Sequence, residues 1–207
     1  MRDLCLLLLL LTGTALAEPA TSDLVELVKL DPRLQLDIHY ARSDNFLGFP
    51  VYEEARAFLQ RPAAQALKAA HDDLRKQGYG LAIFDGYRPW RVTKLMWDRT
   101  PPEKHAYVAD PKKGSRHNRG CAVDLTMVNL KTGKQVAMPS QYDDFSRRAH
   151  ADYEGGTHQE RLHRAILKKA MEAHGFKNLP EEWWHFDFVG WEKYPIEDKT
   201  FQELGKD

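Results

Sequence analysis

Cysteine is scarce in this chain, with two residues, Cys5 and Cys121, among 207. Cys5 lies inside an N-terminal hydrophobic run and lacks the downstream placement of a lipid-attachment cysteine. Once that run is removed Cys121 stands by itself, which excludes an internal disulfide and leaves stability to the core, helped by a metal. Excess charge is also missing: 30 basic and 30 acidic residues give formal neutrality, so no nucleic-acid partner is expected. The one long apolar run, Leu4 to Leu11, is too short for a membrane span. No internal repeat or low-complexity segment is present, which removes solenoids and linker-rich architectures.

What is present is an ordinary globular composition, 43% hydrophobic and 29% charged, enough for a single good-sized core. The Leu4–Leu11 run is followed by small residues and Ala15-Leu16-Ala17, the pattern of a signal peptide with an A-x-A cleavage site. The expectation is a signal over residues 1–17 and a mature domain over 18–207, exported to the periplasm or secreted. No stable membrane insertion is expected after cleavage.

Residues 18–23 read as a disordered leader. Leu34, Leu36, Ile38 and Tyr40 alternate and predict a half-buried strand. Asn45 to Pro50 reads as a loop. Pro62 suits a first helical turn, and Leu67, Ala70 and Leu74 follow at helical spacing, with Gly78 as the stop. Tyr79 to Phe84 predicts a second strand. It ends in Asp85-Gly86-Tyr87-Arg88-Pro89, a turn leading into a helix through about Trp97. Cys121 to Met127 predicts a strand with Cys121, Val123, Leu125 and Met127 on one face, and Ala122, Asp124 and Thr126 on the other. Lys131-Thr132-Gly133-Lys134 suits a hairpin loop into a short strand near Val136. A helix is expected from about His158 to Ala173. Leu179 to Phe188 reads as an aromatic strand with Trp184, Phe186 and Phe188 on one side, and Trp183, His185 and Asp187 on the other. Together these elements predict an α+β single domain: a mostly antiparallel central sheet flanked by helices, with a metal site on the sheet.

The run Ser115-Arg116-His117-Asn118-Arg119-Gly120-Cys121-Ala122-Val123-Asp124 concentrates the chemistry. Its turn-formers present His117 from a loop, and the strand that follows presents Asp124. Adding His185 makes a His/Asp/His set, and three N/O ligands leave one position of tetrahedral Zn²⁺ open for water, as catalytic zinc needs. Such a water loses its proton near neutral pH. Glu182, three residues before His185, could take that proton as general base. On an ideal strand those two positions face opposite ways, so Glu182 must lie before the strand proper or at a bulge. Each residue also has a bland reading. Asp124 could be a hydrogen-bonded strand carboxylate, Glu182 a solvated charge beside Glu181, and Arg88 an ion-pair partner for Asp85. Cys121 reads as a small buried apolar residue rather than a nucleophile.

The pattern Ser115-x-His117-x-x-Gly120-x-Ala122-x-Asp124, followed by Glu182-Trp183-Trp184-His185, resembles the zinc D-alanyl-D-alanine dipeptidases of the vancomycin-resistance type. Asp85-Gly86-Tyr87-Arg88-Pro89 matches in the right order, as do Tyr40 with Asp44-Asn45-Phe46 and the segment around Tyr142-Asp143. The resemblance runs over about residues 24–195. It implies one Zn²⁺ held by His117, Asp124 and His185, with Glu182 as the base and Arg88 stabilising the oxyanion. It implies the dipeptide D-Ala-D-Ala as substrate, cleaved to two D-alanines. Asp143 is the candidate for the substrate ammonium, with Tyr40 and Ser115 in supporting roles; the bland readings are a turn carboxylate for Asp143 and a loop-capping hydroxyl for Ser115. Cys121 stands where the family motif has serine. Two rival readings stay open: a D,D-carboxypeptidase acting on longer wall peptides, and a non-catalytic zinc-containing wall-peptide binding module.

Overall fold

The computed structural model describes residues 20–206; the expected signal, residues 1–17 with Cys5, lies outside them. Strands β1 (Leu24–Glu26), β2 (Gln35–Leu36), β3 (Phe58–Gln60), β4 (Tyr79–Asp85), β5 (Ala122–Asn129), β6 (Phe176–Asn178) and β7 (His185–Phe188) form two sheets. The larger has the order β2-β4-β5-β7-β6, and β1 pairs with β3 in a separate antiparallel ribbon. Within the larger sheet β2 runs parallel to β4 and the remaining pairs are antiparallel, so the sheet is mixed. Helices α1 (Leu27–Leu30), α2 (Arg61–Lys76), α3 (Trp90–Arg99), α4 (His158–Glu172) and α5 (Phe201–Leu204) complete the α+β domain. No helix of the described residues is long and apolar enough to cross a membrane.

Helix α2 follows the apolar spacing of its sequence: Ala63, Leu67, Ala70 and Leu74 are buried, and Pro62 occupies the first turn. It packs on β4 and touches α4, which covers β5 and β6. Helix α4 is fixed at its start by a capping box, in which Thr157 Oγ1 accepts from Glu160 N and Glu160 accepts from Thr157 N. Strand β5 is buried from Ala122 to Val128 on both faces. Its Val123/Leu125/Met127 face joins the core, while the face bearing Asp124 is covered by the walls of a cavity. The chain turns back after β5, with Val136 N donating to Met127 O at 3.0 Å, but the return is a single bridge of Gln135 to Val128 rather than the expected short strand near Val136.

Three further expectations are corrected. Only Gln35–Leu36 of the predicted Leu34–Tyr40 strand forms a strand; the chain then turns into a short 3-10 segment, His39–Ala41. Asn45 causes the turn by donating to Arg42 O (2.7 Å) and Phe49 O (2.9 Å), which closes the loop and tucks Tyr40 inward. Residues 20–23 are tied down rather than disordered: Ala20 N donates to Lys193 O and Asp23 N to Gln60 Oε1. The last strand begins at His185, so the strict alternation does not reach Trp183 and Trp184. Both tryptophans are buried, Trp183 donating Nε1–H to Ser140 Oγ and Trp184 packing edge-on to Tyr142.

Candidate metal centre and substrate cavity

Asp124 on β5 is the register partner of Asp85 on β4 and of His185 on β7. The β4–β5 ladder shifts register between Ile83 and Asp85, an irregularity of the kind that re-aims side chains beside active sites. His117 arrives from the 3-10 segment His117–Arg119, whose Gly120 has φ +63. That left-handed backbone favours glycine, and a Cβ there would also displace the tip of Leu24, 2.3 Å away.

His117, Asp124 and His185 are all buried and converge. His117 Nε2 lies 3.2 Å from His185 Nδ1 and 3.4 Å from Asp124 Oδ1, and His185 Nδ1 lies 2.9 Å from the same oxygen. A tetrahedral site with bonds of about 2.0–2.1 Å has ligand-to-ligand edges of about 3.3 Å, so the triangle fits Zn²⁺. The far side of each ligand is occupied. His117 Nδ1–H donates to Gly86 O at 2.7 Å, His185 Nε2–H donates to Asp187 Oδ1 at 2.9 Å, and Tyr142 donates its hydroxyl proton to Asp124 Oδ2 at 2.9 Å. Such outer hydrogen bonds fix the tautomers and aim the remaining lone pairs inward.

Electrostatics agree with a cation in the middle. Burial would raise the Asp124 carboxyl, but the two imidazoles outweigh it and hold it far below the usual range. Burial likewise opposes charge on His185, yet hydrogen bonds to Asp124 and Asp187 push it up to about 10 without metal. A metal ion would take the place of that proton.

Glu182 sits in the turn before β7, where its N–H donates to Leu179 O and its carbonyl accepts from His185 N. The turn removes the strand-face conflict: Glu182 Oε2 lies 3.8 Å from His185 Nδ1 with the side chain 29% exposed to the cavity. Burial raises its carboxyl, with Asp124 adding to the rise and His185 opposing it. That direction suits a group that must both take and return a proton.

Arg88 is the ion-pair partner of Asp85, and it also reaches the cavity. Its Nε and Nη2 donate to Asp85 Oδ2 at 3.0 and 2.7 Å. Asp85 Oδ1 in turn accepts from the Tyr52 hydroxyl and from Gly86 N. Asp143 faces the same space and has φ +56, a left-handed backbone that aspartate tolerates at some cost. The Tyr40 hydroxyl donates to both oxygens of Asp143, at 3.2 and 3.0 Å. Burial and the nearby Asp124 and Glu182 charges push the Asp143 carboxyl well up. Ser115 also lines the cavity, and its Oγ accepts from His117 N at 3.2 Å, the loop-capping role. The structure therefore brings all eight candidate residues to one cavity of about 250 Å³.

Several supports escaped sequence reasoning. Asp187 was legible as the i+2 neighbour of His185 on one strand face. Asn118 joins three segments by donating to Arg88 O and Thr93 Oγ1 and accepting from Ser115 N, and no local pattern announced it. Cys121, just before β5, is buried with its Sγ 3.5 Å from Arg119 O, and burial pushes its thiol up to about 12, the setting of an unreactive cysteine.

A family model described as D-ala-D-ala dipeptidase matches residues 20–204. The chain is 32% identical over 176 residues to a D-alanyl-D-alanine dipeptidase of Escherichia coli, covering 85% of this chain and 90% of that protein. It is 35% identical over 177 residues to one of Enterococcus faecalis, covering 77% and 87%. Among solved structures, an LD-carboxypeptidase aligns loosely, at 25% identity and a TM-score of 0.44 over 65% of this chain and 61% of that one. A match across nearly the whole described chain, together with motif residues gathered into one cavity, leads to one conclusion: the chain belongs to the D-Ala-D-Ala dipeptidase family of peptidases.

Proposed function

We propose that this protein is a zinc-dependent dipeptidase that hydrolyses D-Ala-D-Ala to two D-alanines. The observation that carries the reading is the triangle of His117 Nε2, Asp124 Oδ1 and His185 Nδ1, with edges of 2.9–3.4 Å, facing Glu182 and Arg88 across one cavity. Bound there, Zn²⁺ would acidify a water molecule and polarise the scissile carbonyl. Glu182 takes a proton from the attacking water at a carboxylate oxygen and returns it to the leaving amine. Arg88, held by Asp85, presents fixed positive charge to the carbonyl oxygen as negative charge develops there, a contribution on the order of a few kcal/mol. Asp143, with Tyr40 donating to it, receives the substrate ammonium. Ser115 caps the loop that carries His117.

The cavity, about 250 Å³, lies at or below the small end of ligand pockets, about 300–1,000 Å³, which favours a dipeptide over a longer wall peptide. A binding module needs neither a base nor an oxyanion stabiliser, so the pairing of Glu182 with Arg88 supports the enzyme. We further propose that the Leu4–Leu11 run directs export and is removed after Ala17. N-terminal sequencing of the protein recovered from cells tests this; a chain that retains residues 1–17 in the cytosol sinks it. The activity is tested by comparing D-Ala-D-Ala, L-Ala-L-Ala and a D-Ala-D-Ala-terminated pentapeptide. Turnover confined to the first supports the proposal, and faster cleavage of the pentapeptide overturns it in favour of the carboxypeptidase.

A further inference from the structure

A dipeptide carries an ammonium at one end and a carboxylate at the other, and only the ammonium has a partner so far. Among the described residues lining the cavity, the lysines and arginines are Arg88 and Arg116 alone. Arg88 is committed to Asp85 through two donors, and its guanidinium lies 5.2 Å from the Tyr40 ring, beside Asp143. Arg116 is differently placed. Its guanidinium carbon lies 5.0 Å over the Trp191 ring, and its Nε, 3.5 Å from Asp187 Oδ2, is buried without a hydrogen-bond partner. The side chain is 43% exposed and stands between the catalytic cavity and a neighbouring one of about 440 Å³, forming part of both walls.

The sheet sets the order of these groups. Tyr40 follows β2, and Tyr142, next to Asp143 in the chain, stacks on Phe84 of β4 at 4.6 Å. The ligands Asp124 and His185 are register partners on β5 and β7, the next two strands. Asp187, which Arg116 approaches, lies on β7 with Lys177 of the edge strand β6 as its partner. Passing across the sheet one therefore meets an anion, the metal ligands, and a cation. Two strand spacings cover about 10 Å, and an extended dipeptide with a hydrogen bond at each end covers about 12 Å. The polarity and the length both match a zwitterion laid over the ligand triangle, its scissile bond above the middle strands.

We propose that Arg116 receives the C-terminal carboxylate of the dipeptide, an assignment that rests on the dipeptidase reading above. The Trp191 face and Asp187 hold the guanidinium plane at the cavity's end, so its fork is oriented before the ligand arrives. A chain extended beyond that carboxylate would meet Arg116 and the partition it forms. The competing role for Arg116 is purely positional: it would steady Asp187 and, through it, His185.

The two roles separate in kinetics with D-Ala-D-Ala and its C-terminal amide on wild type, Arg116→Met and Arg116→Lys, each with zinc content measured. The wild type is expected to prefer the free acid. In Arg116→Met that preference in kcat/KM should fall roughly tenfold or more, as expected for a lost charge-assisted hydrogen bond, with zinc content and amide hydrolysis little changed. Arg116→Lys, which keeps the charge without the fork, should retain part of the preference. Equal losses on acid and amide in Arg116→Met, or lost zinc, would reduce Arg116 to a positioning residue and overturn the assignment. A wild type indifferent to amidation would overturn it as well, leaving the dipeptidase reading intact. A wild type that turns over neither compound would sink that reading, and this assignment with it.

Discussion

Glu182 and His185 are three residues apart in the chain, yet Glu182 Oε2 comes within 3.8 Å of His185 Nδ1, because a turn separates Glu182 from the strand. In the proposed mechanism the two act on one centre through different means, and substitution should separate them. Glu182→Gln should keep its zinc and lose turnover by about 10²–10⁴-fold, the usual worth of a positioned base; metal analysis alongside initial rates checks both halves. Asp187→Asn should do the reverse. It weakens the acceptor for His185 Nε2–H at 2.9 Å and should lower zinc affinity about 10–100-fold, measured by competition with a chelator. Normal zinc affinity in Asp187→Asn would remove that aspartate from the centre's support.

At the scale of elements, the site depends on where β4 ends. Gly86 follows β4, accepts from His117 Nδ1 and packs so closely that a Cβ would lie 2.8 Å from the Phe58 carbonyl oxygen. Gly86→Ala must therefore push the β4 end away from β3 and carry the His117 acceptor with it. We expect a loss of about 1–3 kcal/mol in stability together with weakened zinc binding, the cost class of overpacking a close contact. Thermal unfolding with and without zinc measures both. The elements legible in the sequence were those with period and punctuation: α2 and α4 from their 3.6-residue spacing, β4 and β5 from apolar runs between turns. His117, Asp124 and His185 were legible because their residue types are chemically narrow and each lies in or beside such an element. What stayed hidden was set by distant partners. The two-stranded ribbon of β1 and β3 has three-residue strands with no alternation to read. The bend of Tyr40 out of β2 is dictated by Asn45 and Asp143, not by its own neighbours. Asn118 works through carbonyls and hydroxyls that only the fold assembles.

The whole molecule has a second buried ionic cluster, remote from the cavity in sequence and function. Asp31 accepts from Arg33 and bonds His71 Nδ1 at 2.9 Å, joining the start of β2 to α2. Burial pushes the Asp31 carboxyl up, but Arg33 and His71 outweigh it and hold it well below its ordinary 3.8. A depressed carboxyl stabilises the fold above its unfolded value and ceases to do so as pH falls through the folded one. Melting temperature should therefore decline below about pH 4, and Asp31→Asn should flatten that part of the profile; an unchanged acid limb would exclude Asp31 as its source. The activity profile should instead follow the cavity, where burial raises the Glu182 carboxyl.

The account stands on one ion per chain at the meeting of β5, β7 and the His117 loop. Metal-depleted protein titrated with Zn²⁺ while D-Ala-D-Ala hydrolysis is followed tests this most directly. Activity should rise from near zero and break at one zinc per chain, and His185→Ala should show no such rise. Full turnover in the depleted protein, or an undiminished response in His185→Ala, would contradict it.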